Sequence, residues 1–242
     1  MYFLNKKPFS LSCENFPSFL NIHMSCIHII LQVIMAHSPY DHLEELLMDY
    51  VTTPHSKLND KKLRECLQSV SSADAYKLLI TIMNDLGHTA VYLAARRNQP
   101  ETLKCHLDSV TAEDRYQLLI IRTMDDATPL HDATCCGYVD VVVCILNSVT
   151  AQQRCQLLTI QAMYGYTPLH YAAWQGHAEL ITNILDSIGL TERIRLLQIC
   201  SVIDETARDL AQRFGNISTV KVLDAYDGKR SLDYGNQFLI NF

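Results

Sequence analysis

Two kinds of short apolar segment alternate along the chain. One carries small residues behind a threonine, as in Thr128-Pro129-Leu130-His131-Asp132-Ala133-Thr134 and Thr167-Pro168-Leu169-His170-Tyr171-Ala172-Ala173. The other carries larger aliphatics, as in Tyr138-Val139-Asp140-Val141-Val142-Val143-Cys144-Ile145-Leu146 and His177-Ala178-Glu179-Leu180-Ile181-Thr182-Asn183-Ile184-Leu185. Both read as helices. Threonine caps the first, and proline at its first position gives up an N–H that has no intrahelical partner anyway. Gly137 and Gly176, which tolerate positive φ, close it two turns later. Neither helix can bury its apolar face alone, so each pair must stack on the next.

The pairs recur with a period of 39. Threonines stand at 89, 128, 167 and 206, alanines at 94, 133, 172 and 211. Asn98, Gly137, Gly176 and Gly215 fill a helix-ending column; Leu103, Val142, Ile181 and Val220 fill an aliphatic one. Four registers agreeing over so long a stretch define a repeat array. The connector also repeats. Ser109-Val110-Thr111-Ala112-Glu113-Asp114-Arg115 is echoed by Ser148-Val149-Thr150-Ala151-Gln152-Gln153-Arg154. Thr111 with Asp114, and Thr150 with Gln153, have capping-box spacing, which predicts a short extra helix in each connector. Ser187 to Leu197 repeats it with Gly189 in the threonine column, and Ser69 to Leu79 repeats it once more.

The residues Thr128-Pro129-Leu130-His131 and Thr167-Pro168-Leu169-His170-Tyr171-Ala172-Ala173-Trp174-Gln175-Gly176-His177 resemble the ankyrin-repeat signature. The resemblance covers roughly residues 41–225. Family repeats run to about 33 residues, so 39 − 33 = 6 are extra, and these fall after the second helix. The resemblance implies an all-α, ankyrin-type solenoid of stacked helix–turn–helix repeats, here with an extra short helix per connector. It also implies that His131 and His170 serve a hydrogen-bond network between neighbouring units. The expected organisation is an irregular extension over 1–39 and a degenerate N-terminal capping repeat over 40–86. Four repeats follow over 87–125, 126–164, 165–203 and 204–225, the last partial, and then a tail over 226–242. Helices are expected over Tyr40–Val51 and Leu58–Val70 of the cap. The terminal units depart from the signature, with Ala90-Val91-Tyr92 and Ala207-Arg208-Asp209 in place of Pro-Leu-His.

Composition adds boundaries. Apolar residues make up 48% of the 242, too many for a disordered chain. Lys plus Arg number 20 against 26 Asp plus Glu, a net charge of −6 without a basic run, so no nucleic-acid partner is expected. Nine cysteines, an odd number without a CxxC pair, fit a reducing compartment, the cytoplasm or the nucleus. The stretch Asn15–Tyr40 has no formal charge, and its part over 16–36 is apolar. Asn21, His23, Ser25, His28 and Gln32 interrupt it, so a membrane anchor is the weaker reading. That alternative makes the repeats the cytosolic arm of a membrane-tethered or larger regulatory protein. Nucleotide-loop, nucleophile-elbow and metal-spacing motifs are missing, so neither an enzyme nor a cofactor is expected.

An ankyrin array implies a protein partner held on a concave face of first helices and hairpin tips. By the 39 offset, the first helices expose Arg96-Arg97, Cys135-Cys136, Trp174-Gln175 and Arg213-Phe214. The tips include Asp125, Tyr164 and Tyr166. Trp, Tyr and Arg are the residues enriched in binding hot spots, which singles out Arg96, Arg97, Tyr164, Tyr166, Trp174 and Arg213; Asp125 at a tip and Gln175 beside Trp174 complete the expected partner-binding set. A monomer is expected.

Overall fold

A computed structural model describes residues 41–52 and 57–238. Its fourteen helices follow a three-helix rhythm, with no strand among the described residues beyond isolated bridges. The capping unit holds α1 (Asp41–Thr52), α2 (Lys57–Ser69) and α3 (Ser72–Thr81). The next unit holds α4 (Ala90–Arg96), α5 (Pro100–Asp108) and α6 (Ala112–Leu119). Then come α7 (Pro129–Cys136), α8 (Val139–Asn147) and α9 (Ala151–Thr159), followed by α10 (Pro168–Gln175), α11 (Ala178–Asp186) and α12 (Leu190–Leu197). The last unit has α13 (Ala207–Arg213) and α14 (Ile217–Phe238). The segment 16–36, with the rest of the extension, lies outside the described residues.

The columns read from the sequence become columns of packing. The first helices α4, α7, α10 and α13 pack in succession, and Ala94, Ala133, Ala172 and Ala211 are all fully buried between them. Alanine there lets neighbouring backbones approach closely. Second helices pack as α2 on α5, α5 on α8 and α11 on α14, with Leu103, Val142 and Ile181 buried. The connector helices pair as α3 with α6 and α9 with α12. The extra helix per connector is therefore a third layer of the stack.

Local chemistry fixes each boundary. Thr111 and Thr150 cap α6 and α9, accepting from the N–H of Asp114 and Gln153 at 3.3 Å each. Gly189 starts α12 without a side-chain cap. Arg115, Arg154 and Arg193 form a further column of period 39. Each Nε donates to the last-turn carbonyl of the preceding second helix, at Leu107, Leu146 and Leu185, over 2.8, 2.8 and 3.0 Å. A guanidinium at a helix C-terminus satisfies an orphan carbonyl and complements the dipole.

The last unit differs from its sequence reading. The pattern stops after Leu223, but α14 continues through Phe238 with no break at 225. Tyr226 is buried just past that boundary, its hydroxyl donating to Asp186 Oδ1 at 2.6 Å and its ring under the Arg193 guanidinium at 4.9 Å. A residue outside the repeat thus binds the final helix to α11 and α12.

Candidate functional site

Each first helix is entered through a tight hairpin, and the four hairpins are alike in backbone. The N–H groups of Asn84, Thr123, Ala162 and Ser201 donate to the carbonyls of His88, Ala127, Tyr166 and Glu205, at 3.1, 2.9, 2.8 and 2.9 Å. The tip residue Gly87, Asp126, Gly165 or Asp204 is left-handed in every copy. Only the third hairpin adds a second such residue, Tyr164, with φ 62°. Neighbouring hairpins are joined directly. Met124 N donates to Leu86 O at 3.3 Å and Val202 N to Tyr164 O at 3.0 Å. Side chains extend the ladder: Arg122 Nη1 donates to Gln161 O at 2.9 Å, and Gln161 Nε2 to Cys200 O at 3.0 Å.

Behind the hairpins, His131 and His170 each close a cap and reach toward the hairpin that opens the next unit, His131 through the Ile160 and Tyr166 carbonyls and His170 through that of Glu205. Nδ1 of His131 accepts from the Thr128 N–H at 3.1 Å and lies 2.9 Å from its hydroxyl, while Nε2 lies 3.0 Å from Ile160 O. His170 does the same with Thr167, and its Nε2 lies 3.2 Å from Glu205 O. The neutral ring protonated at Nε2 satisfies every partner, and burial keeps it neutral, with the His131 pKa lowered to about 4. The His170 pKa is lowered by the same cause. In the last unit Asp209 takes this place, accepting from the Thr206 N–H at 3.1 Å. These histidines are committed to holding units together.

The eight residues singled out for partner binding fall into two groups. Asp125, Tyr164, Gln175 and Arg213 are exposed. Arg96, Arg97, Tyr166 and Trp174 are half-buried, which corrects the reading of Arg96-Arg97 and Trp174-Gln175 as exposed pairs. The reason is engagement with neighbouring units. Arg96 pairs with Asp132 at 3.2 Å on the next first helix. Burial pushes the Asp132 carboxyl up from the usual range, and Arg96 opposes that shift. Arg97 donates to Tyr50 O at 2.9 Å and lies over that ring at 4.9 Å. Arg213 lies over Phe214 at 5.1 Å and 3.0 Å from Glu205 Oε2. Phe214, also half-buried, packs on Trp174 with ring centroids 5.9 Å apart.

The third unit does gather its aromatics. Tyr166 stacks on His170 at 5.7 Å and meets Tyr171 edge-on at the same distance, and Tyr171 packs on Trp174 at 6.2 Å. The Trp174 Nε1 is buried and has no partner among the described residues. Cys135 is half-buried, Cys136 exposed, and burial raises the Cys135 thiol pKa, which works against reactivity. Among the described residues no three His, Cys, Asp or Glu side chains converge as a metal site would require, and no helix is long and apolar enough to cross a membrane.

Two features escape a reading by motif. His177 and Asn216 occupy one column and cap the preceding first helix from outside. His177 Nε2 lies 3.0 Å from Cys135 O, and Asn216 Nδ2 donates to Ala173 O and Trp174 O at 2.9 and 2.7 Å. Their shared offset was the available signal. The other is His106, fully buried against Tyr50 with neither ring nitrogen partnered among the described residues.

The family of ankyrin repeats has a model that matches residues 117–194, in 3 copies. No curated protein matches the chain. The matched stretch contains the second unit and most of the third, where the Thr-Pro-Leu-His caps and the histidine relays are intact.

Proposed function

We propose that the chain, whose residues 117–194 match the ankyrin-repeat family, is a non-enzymatic module holding a protein partner, since members of that family are generally protein–protein interaction modules. The supporting observation is a division of labour along each unit. Threonine, proline, histidine, alanine and glycine columns are consumed by caps, relays and close packing. The positions between them differ from unit to unit and leave some side chains exposed, Asp125, Tyr164, Gln175 and Arg213 among them. A scaffold of this kind presents side chains without changing its backbone. The partner lies across the concave face, over first helices and hairpin tips, and the protein works in a reducing compartment, cytoplasmic or nuclear. The chain itself is monomeric and uses neither cofactor nor nucleic acid.

The test uses the full chain. A protein captured by it is purified and titrated against wild type and against the double variant Tyr164→Ala/Gln175→Ala. Both side chains are exposed, so the melting temperature should hold while the Kd rises at least tenfold, about 1.4 kcal/mol. Unchanged affinity in the folded variant rejects this face. Trp174→Ala is a less clean probe, because the indole fills space against Phe214.

A further inference from the structure

Large apolar side chains that remain exposed are concentrated on the hairpins. Ten stand out among the described residues, and seven of them are hairpin residues: Met83 and Leu86, Met124, Met163 and Tyr164, Val202 and Ile203. Every unit contributes. Met124, Tyr164 and Val202 are the most open, at 74%, 63% and 71%. An apolar row of this kind, spread along a stack, marks a contact surface rather than scattered exposure. Methionine is overrepresented in it, and its flexible thioether adapts to irregular partners.

The row is also acidic. The hairpins carry Asp85, Asp125, Asp126, Asp204 and Glu205 against Arg122 alone, a net of 1 − 5 = −4. Glu205 pairs with Arg213 and Asp126 with Arg122, but Asp85, Asp125 and Asp204 form no ion pair among the described residues. Asp85, Asp125 and Asp204 adjoin Leu86, Met124 and Ile203 in the chain, so carboxylates flank the apolar contacts. The backbone at Tyr164 points the same way. A non-glycine residue held left-handed is strained, and such strain persists where a side chain is needed in place. The corresponding Leu86, Asp125 and Ile203 are not left-handed.

We propose that the hairpin row binds an extended, basic and apolar segment of another polypeptide, its apolar side chains seated on the tips and its Lys or Arg side chains on Asp85, Asp125 and Asp204. The inference rests on the interaction-module reading and names the chemistry of the partner. Packed helices lie about 8–10 Å apart, so successive tips repeat at about that distance. Three residues of extended polyproline-type chain rise about 9 Å and bring every third side chain to one face. The bound segment therefore carries an apolar residue at every third position, with basic residues between.

A selection of random dodecapeptides displayed on phage against the immobilised full chain tests this. The enriched peptides should show that three-residue spacing and an excess of Lys and Arg. A representative synthetic peptide should lose at least tenfold in affinity against Met124→Ser/Tyr164→Ser/Val202→Ser/Ile203→Ser. It should weaken less against Asp85→Asn/Asp125→Asn/Asp204→Asn, with a shallower salt dependence. Val143→Ser/Leu190→Ser, exposed apolar positions off the hairpins, should leave binding unchanged. Circular dichroism establishes that each variant is folded. Peptides enriched in acidic residues, or binding that survives the hairpin variant, overturn the proposal. If binding survives there but is lost in Gln175→Ala/Arg213→Ala, the module reading stands and the hairpin row falls. If no peptide is enriched, both fall.

Discussion

His106 stands in a column that is otherwise aliphatic: the 39 offset places Ile145, Ile184 and Leu223 in the same position, all buried. Burial, with Arg64 adding to it, lowers its pKa from 6.5 to about 3. The unfolded chain takes up a proton below pH 6.5, whereas the folded chain does so only near 3. Its contribution is therefore complete above pH 6.5 and is lost as pH falls, by about 2 kcal/mol at pH 5. His88 and His131, with pKa values lowered to about 4, add to the slope in the same direction. His106→Leu should raise stability at pH 7 by about 1–3 kcal/mol, since two unpartnered buried polar atoms disappear. It should also flatten part of the acid slope. Urea unfolding at pH 7 and pH 5 checks both, and a variant less stable at both values contradicts this account of His106. Tyr164 offers the opposite trade. Tyr164→Gly relieves a left-handed side chain and should stabilise by about 0.5–1 kcal/mol while weakening peptide binding.

At the scale of elements, glycine positions that look equivalent in the sequence differ in what surrounds them. Gly137 and Gly215 share a column and nearly the same φ, 74° and 73°. A Cβ on Gly137 would meet the His177 ring at 2.7 Å, whereas one on Gly215 meets nothing within 4 Å. Gly137→Ala should therefore destabilise clearly more than Gly215→Ala, which bears only the backbone strain of about 1 kcal/mol. Equal losses in thermal unfolding would mean that His177 yields freely. Leu146, buried on α8, should cost about 2–5 kcal/mol when cut to alanine.

Most of the elements were legible because each is set by local chemistry repeated at one offset. Thr-Pro starts, glycine stops and capping-box connectors recover α4 to α13 within a few residues. Three things were not legible for the same reason. Arg96 and Trp174 looked exposed by their position on a first helix, but Asp132 and Phe214 come from neighbouring units that helical spacing does not describe. The continuation of α14 past 225 depends on Tyr226, which has no counterpart in the repeat. The apolar hairpin row was hidden because its members occupy different columns, and only the ladder between hairpins brings them into line.

At the scale of the whole array, the described units act as one ribbon in which histidine relays, hairpin ladders and carbonyl caps tie successive units together. Loss of one relay should be felt at both of the units it joins, while the exposed apolar side chains of the hairpins, which carry no polar group but the Tyr164 hydroxyl, stand outside that network. That separation is what lets the row vary for binding without altering the stack. The central claim, that the hairpins bind a polypeptide, is tested most directly by amide hydrogen exchange on the full chain with and without a selected peptide. The predicted result is slowed exchange confined to 83–89, 122–128, 161–167 and 200–206; protection elsewhere, or none at a saturating concentration of peptide, contradicts it.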